Sequence, residues 1–145
     1  MNHYTLRRLA VAVVLAVPGT ALATTATVHK TPTCGCCAVY VDYLEAHGLE
    51  PEVIDHDSIA PMFQDADIDR TMASCHITKV GPYMVVGHMP VEAIERLLEE
   101  RPMIRGIALP GMPVGSPGMP GVQQEPLTVY TITGGAGEPE VYGRF

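Results

Sequence analysis

From Thr25 to Glu100 the apolar residues recur with two periods, and the switches between them mark the elements. TATVH, Thr25–His29, is rich in β-formers and predicts a short strand. Over Cys36–His47, Val39, Tyr40, Tyr43 and Leu44 fall at helical spacing, and Gly48 supplies the stop. EVID, Glu52–Asp55, predicts a second strand. Ser58–Ala66 predicts a short helix with Ser58 or Asp57 capping it and Pro61 in its first turn. Ile77–Val80 and Tyr83–Val86 read as two strands joined at Gly81-Pro82, a hairpin. Val91–Glu100 carries the clearest helical stripe, Val91, Ile94, Leu97 and Leu98, with Pro90 near its first position.

The resulting order is β-α-β-α-β-β-α, an α/β class. An initial βαβ unit followed by a hairpin and a helix is the order of a thioredoxin-like fold. After Arg101 the pattern breaks. GIALPGMPVGSPGMPG, residues 106–121, holds five glycines and four prolines. It predicts a long loop with no helix or central strand, because proline removes backbone donors and glycine weakens a strand. Leu127–Thr133 and Val141–Phe145 predict a closing pair of strands at the edge of the sheet or packed on the domain.

The first residues have a different character. MNHYTLRR precedes the apolar run Leu9–Val17, which is too short to span a bilayer comfortably. Pro18 and Gly19 break the run, and Ala21-Leu22-Ala23 is a small-x-small cleavage site. This is the pattern of a secretory signal peptide over residues 1–23. It is preferred here to an uncleaved anchor, and it leaves residues 24–145 as one domain. The expected location is the periplasm, with no membrane association after cleavage. Without Arg7 and Arg8, seven basic residues face sixteen acidic ones. A surface of that sign excludes nucleic acid as a natural partner.

Chemistry concentrates in TPTCGCC, residues 31–37, which places three of the four cysteines within four positions. Disulfides that staple a fold are spread out, since longer closed loops constrain the unfolded chain more. A cluster points to reactions at sulfur. Thr33 or Cys34 lies at the start of the first helix, where free N–H groups and the helix dipole favour a thiolate. Cys34 and Cys37 have the CxxC spacing of a redox pair, and Cys36 is an additional sulfur. Cys75, just before the hairpin, enters the sheet in the neighbourhood of that helix start. All four sulfurs can therefore converge; the alternative is a buried structural thiol at Cys75. Thiolates select Cu(I), zinc or iron–sulfur. The adjacent Cys36 and Cys37 suit closed zinc sites poorly, whereas Cu(I) accepts bridging thiolates together with His and Met.

The flanking candidates for metal contact are His76, His88, Met89, Met112 and Met119. His76 follows Cys75 directly, and strand alternation would turn it to the opposite face, a rule that loosens at a strand entry. His88 and Met89 sit between the hairpin and the next helix. Met112 and Met119 lie in the Gly/Pro-rich loop, where packing is the first reading. His29 reads as structural, His47 and His56 as surface residues, Lys79 as a solvated strand residue, and Met62, Met72, Met84 and Met103 as packing. Asp65, Asp67 and Asp69 lack the later Gly and Glu of a calcium loop and read as a solvated acidic segment.

Four ordered motifs, TPTCGCC, SCHITKVGPYMVVGHMP, IERLLEERP and ALPGMPVGSPGM, resemble the family of exported metal-binding proteins, formerly a domain of unknown function, that includes the copper-resistance protein CopG. The resemblance runs from about Thr31 to Met119. It departs from the usual pattern at Tyr40, where tryptophan is expected, and at Ile77, where threonine is common. It implies a thioredoxin-like domain that binds copper through Cys34, Cys36, Cys37 and Cys75 in periplasmic copper resistance, alongside other copper-handling proteins. A Cu(I) site, a multi-copper thiolate site and cycling to Cu(II), which would make the protein a copper oxidoreductase, all remain open on this reading. Two alternatives stand beside it: a thiol–disulfide oxidoreductase using Cys34 and Cys37, and a zinc-binding structural or storage protein.

Overall fold

The computed structural model describes residues 24–134 and 138–145, so the expected signal peptide, residues 1–23, lies outside the described residues. The element order is β1 (Thr24–Lys30), α1 (Gly35–Ala46), β2 (Leu49–Asp55), α2 (Ala60–Asp65), β3 (His76–Val80), β4 (Tyr83–Val86), α3 (Val91–Glu100), β5 (Gly106–Ala108), β6 (Thr128–Ile132) and β7 (Val141–Arg144). The strands form one mixed sheet in the order β2-β1-β3-β4-β5-β6-β7. β1 runs parallel to β2 and antiparallel to β3, and β3 and β4 form the expected hairpin. This α/β architecture is compatible with the thioredoxin-like order, to which β5, β6 and β7 add three further strands.

The two faces of the sheet bury separate apolar clusters. On one, Ala26, Val28, Val80 and Val85 pack with Tyr40 and Leu44 of α1 and with Ile94 and Leu97 of α3. On the other, Ile77, Val86, Ala108 and Ile132 pack with Ile59 and with Phe63 of α2. α3 owes its place to the 3–4 spacing of its stripe, which puts Ile94 and Leu97 under the sheet with at most 1 % exposure.

Local details differ from the sequence expectation. α2 is capped by Ile59 rather than Ser58 or Asp57; the Ser58 hydroxyl instead accepts the Ala60 N–H at 3.3 Å. Pro90 is the N-cap of α3, one place before the helix. The largest correction is β5. Residues 106–108 precede the first proline of the loop, Pro110, and all three are buried, so their backbone is free to pair. β5 joins β4 in parallel register, Val85 opposite Ile107, and β6 in antiparallel register, which places it inside the sheet. A side chain at Gly106 would collide with the Met84 backbone, so glycine is what permits this approach. β6 and β7 confirm the expected closing pair, with β7 as one sheet edge.

Candidate metal centre

Three junctions meet at one end of the sheet. After β1 the chain turns tightly, the Cys34 N–H donating to the Thr31 carbonyl at 3.1 Å, and Cys34 becomes the N-cap of α1. Cys36 and Cys37 therefore occupy the first helical turn, where backbone N–H groups lack helical acceptors. Lys30 at the end of β1 pairs with His76 at the start of β3, so Cys75 enters beside that turn. Ile77 pairs with Val86. Continuing that register past the ladder sets His88 across from Cys75. The convergence follows from strand pairing, not from proximity in sequence.

The sulfurs are close. Cys75 Sγ lies 3.3 Å from Cys37 Sγ and 4.0 Å from Cys36 Sγ, and Cys36 Sγ lies 3.6 Å from Cys34 Sγ. The ligand atoms of all four cysteines lie within 4.8 Å of one another. Cys34 and Cys37 form a disulfide, and Cys36 and Cys75 are free thiols. Cys37 is fully buried, while Cys34, Cys36 and Cys75 are half-buried.

Two imidazoles complete the cluster. His76 Nδ1 and His88 Nε2 each lie 3.4 Å from Cys75 Sγ. The His88 Nδ1 lies 2.6 Å from the Pro117 carbonyl, which can only accept, so Nδ1 carries the proton and Nε2 presents a lone pair to the sulfur. Tyr40 of α1 lies beside both rings, at centroid distances of 4.7 Å from His76 and 5.4 Å from His88. Its hydroxyl donates to the Met89 carbonyl at 3.1 Å. The Gly/Pro-rich segment folds over this end: a Cβ on Gly118 would stand 2.9 Å from the Tyr40 backbone nitrogen.

Burial dominates the electrostatics. It pushes the Cys75 thiol up to about 11, with the charge of Cys36 adding to the effect. It drives His76 down to about 3, with His88 as a secondary cause, and it also lowers His88. Both rings are therefore held neutral at ordinary pH, the form that ligates metals. His76 Nε2 is buried without a full hydrogen-bond partner, approached only weakly by the Gly87 backbone.

Of the expected site residues, the four cysteines, His76 and His88 come together. His76 sits at the strand entry, where alternation fails to turn it away. Met89 is fully buried in the main core, Met112 is 40 % exposed with φ 45°, and Met119 is half-buried, its N–H closing a turn on the Ser116 carbonyl at 2.8 Å. Hydrogen bonds among the described residues tie none of these three thioethers to the cluster. His56 is not a free surface residue: its Nε2 lies 3.0 Å from Nδ1 of His29. Met103, expected to pack, is fully exposed. Tyr40 and the Pro117 carbonyl were missed as site groups, since helical spacing marks Tyr40 only as core and a backbone carbonyl leaves no sequence signal.

The family model described as "Protein of unknown function, DUF411" matches residues 72–119. No curated protein matches the chain. Two solved structures of the copper resistance protein CopG do: form 2 at 32 % identity and TM-score 0.77, covering 86 % of this chain and 99 % of that one, and form 1 at 32 % and 0.76, covering 86 % and 98 %. With that identity over nearly the full length of both solved chains, and with the same fold, this chain belongs to the CopG family of DUF411 proteins.

Proposed function

We propose that this protein binds copper as its cargo, as Cu(I), at Cys34, Cys36, Cys37 and Cys75 with His76 and His88 at the edge of the site. Its proposed setting is copper resistance in the periplasm, reached by cleavage after Ala23. The observation that carries the reading is the convergence of four sulfur ligand atoms within 4.8 Å, with a second group formed by Cys75, His76 and His88. Thiolate and neutral imidazole are the soft donors Cu(I) prefers. The site also favours more than one copper. Four thiolates packed this closely would repel one another, and each Cu(I) offsets only one charge. The names of the two similar structures support the choice of metal.

Binding through all four sulfurs requires the Cys34–Cys37 disulfide to be reduced. The test is to reduce the full chain anaerobically with a phosphine, load it with Cu(I), remove loose metal and count copper and free thiols per chain. Tight copper that falls in both Cys36→Ser and Cys75→Ser is the expected result. Weak copper in the unsubstituted protein refutes the proposal. The disulfide itself favours a second reading, a thiol–disulfide oxidoreductase, which predicts that Cys36→Ser and Cys75→Ser leave disulfide turnover intact.

A further inference from the structure

A cavity of about 640 Å³ opens on the α2 side of the sheet. Ile59, Phe63 and Ile68 give it an apolar wall, and Arg70 and Asp57 stand on its lining. The ion pairs of the described residues, Lys30–Asp55 and Arg96–Glu100, engage neither of these two charges. Of the four cysteines, Cys75 alone lines the cavity. Beyond Cys75, at 3.3 Å, is Cys37 Sγ, one half of the disulfide and fully buried. A molecule in the cavity thus meets Cys75 first and reaches Cys37 only through it.

We propose that this cavity binds a small zwitterionic thiol, in class a cysteine-containing di- or tripeptide, and that this thiol reduces the Cys34–Cys37 disulfide by way of Cys75. Arg70 faces the ligand's carboxylate, Asp57 its ammonium, and the apolar wall its carbon skeleton. Three exchanges complete the reaction. In the first, Cys75 Sγ bonds to Cys37 Sγ, the Cys34–Cys37 bond breaks, and the Cys75 proton ends on Cys34, with no net redox change. In the second, the ligand thiol bonds to Cys75 Sγ, the Cys37–Cys75 bond breaks, and Cys37 takes the ligand's proton. In the third, a second ligand thiol bonds to the sulfur of the first, releasing the ligand disulfide and returning a proton to Cys75. Two ligand thiols are oxidised and one protein disulfide is reduced. The consequence, restoration of all four thiolates for copper, rests on the function proposed above; the relay does not.

The test uses the full oxidised chain with glutathione as the probe. The reaction is quenched with N-ethylmaleimide and adducts are mapped by peptide mass spectrometry. The expected result is a glutathione adduct on Cys75 and disulfide opening that slows by about tenfold or more in Cys75→Ser, which loses the positioned intramolecular step. Arg70→Glu, on an exposed residue outside the sulfur cluster, slows opening by glutathione several-fold more than opening by uncharged 2-mercaptoethanol. An adduct on Cys34 with an unaltered rate in Cys75→Ser overturns the relay. An Arg70→Glu variant that treats the two thiols alike overturns the cavity assignment. Copper counting after phosphine reduction, which bypasses the relay, separates the two proposals: copper retained while the relay fails leaves the copper reading standing, and a working relay without copper refutes that reading alone.

Discussion

His76 makes the folded protein sensitive to acid in a way that can be isolated. Its side chain is fully buried and its pKa falls from 6.5 to about 3, chiefly because burial disfavours the cation. Between those values the unfolded chain takes up a proton that the folded chain refuses. The unfolded state then binds more protons, so stability is intact above pH 6.5 and falls as pH drops through the window. At roughly 1.4 kcal/mol per unit of pKa difference, the part lost by pH 5 is about 2 kcal/mol from this residue. The perturbation is His76→Gln, which cannot titrate. Metal-free, reduced protein is unfolded in urea at pH 8 and pH 5, for both the unsubstituted chain and the variant. The variant starts less stable at pH 8, since it loses the ring packed 4.7 Å from Tyr40. The gap between the two proteins should shrink by about 2 kcal/mol at pH 5. Comparing gaps cancels the contribution of His29, whose pKa is also lowered. A gap equal at both pH values refutes the claim that burial holds His76 neutral.

Three further outcomes are expected. Tyr40→Phe removes the donor to the buried Met89 carbonyl and should lower stability by about 1–2 kcal/mol in urea titration, with copper per chain unchanged because the ring remains. Gly118→Ala forces a side chain onto a residue with φ 79° and against the Tyr40 backbone; it should cost roughly 1–3 kcal/mol and loosen the Pro117 carbonyl from His88, read as a change in the His88 tautomer by nitrogen NMR. Copper affinity, measured by competition with a Cu(I) chelator, should weaken from pH 8 to pH 6, because the metal must displace the proton of Cys75, whose pKa is pushed up to about 11.

Much of this protein is legible in one dimension because its signals are local. The spacing of Ile94 and Leu97 fixes the buried face of α3, Gly81-Pro82 marks the hairpin turn, and TPTCGCC announces sulfur chemistry at the start of a helix. Other features belong to the assembled sheet. β5 forms within a Gly/Pro-rich stretch because β4 and β6 supply partners on both sides, which no local preference reveals. Cys75 and His88 meet because the hairpin register sets them across from one another, thirteen residues apart. His88 presents its free nitrogen to sulfur because a loop nearly thirty residues further on delivers the Pro117 carbonyl to its other side. The residues able to take part are thus written in the sequence, but their distances, protonation and access depend on long-range pairing and burial, which exist only once the chain has folded.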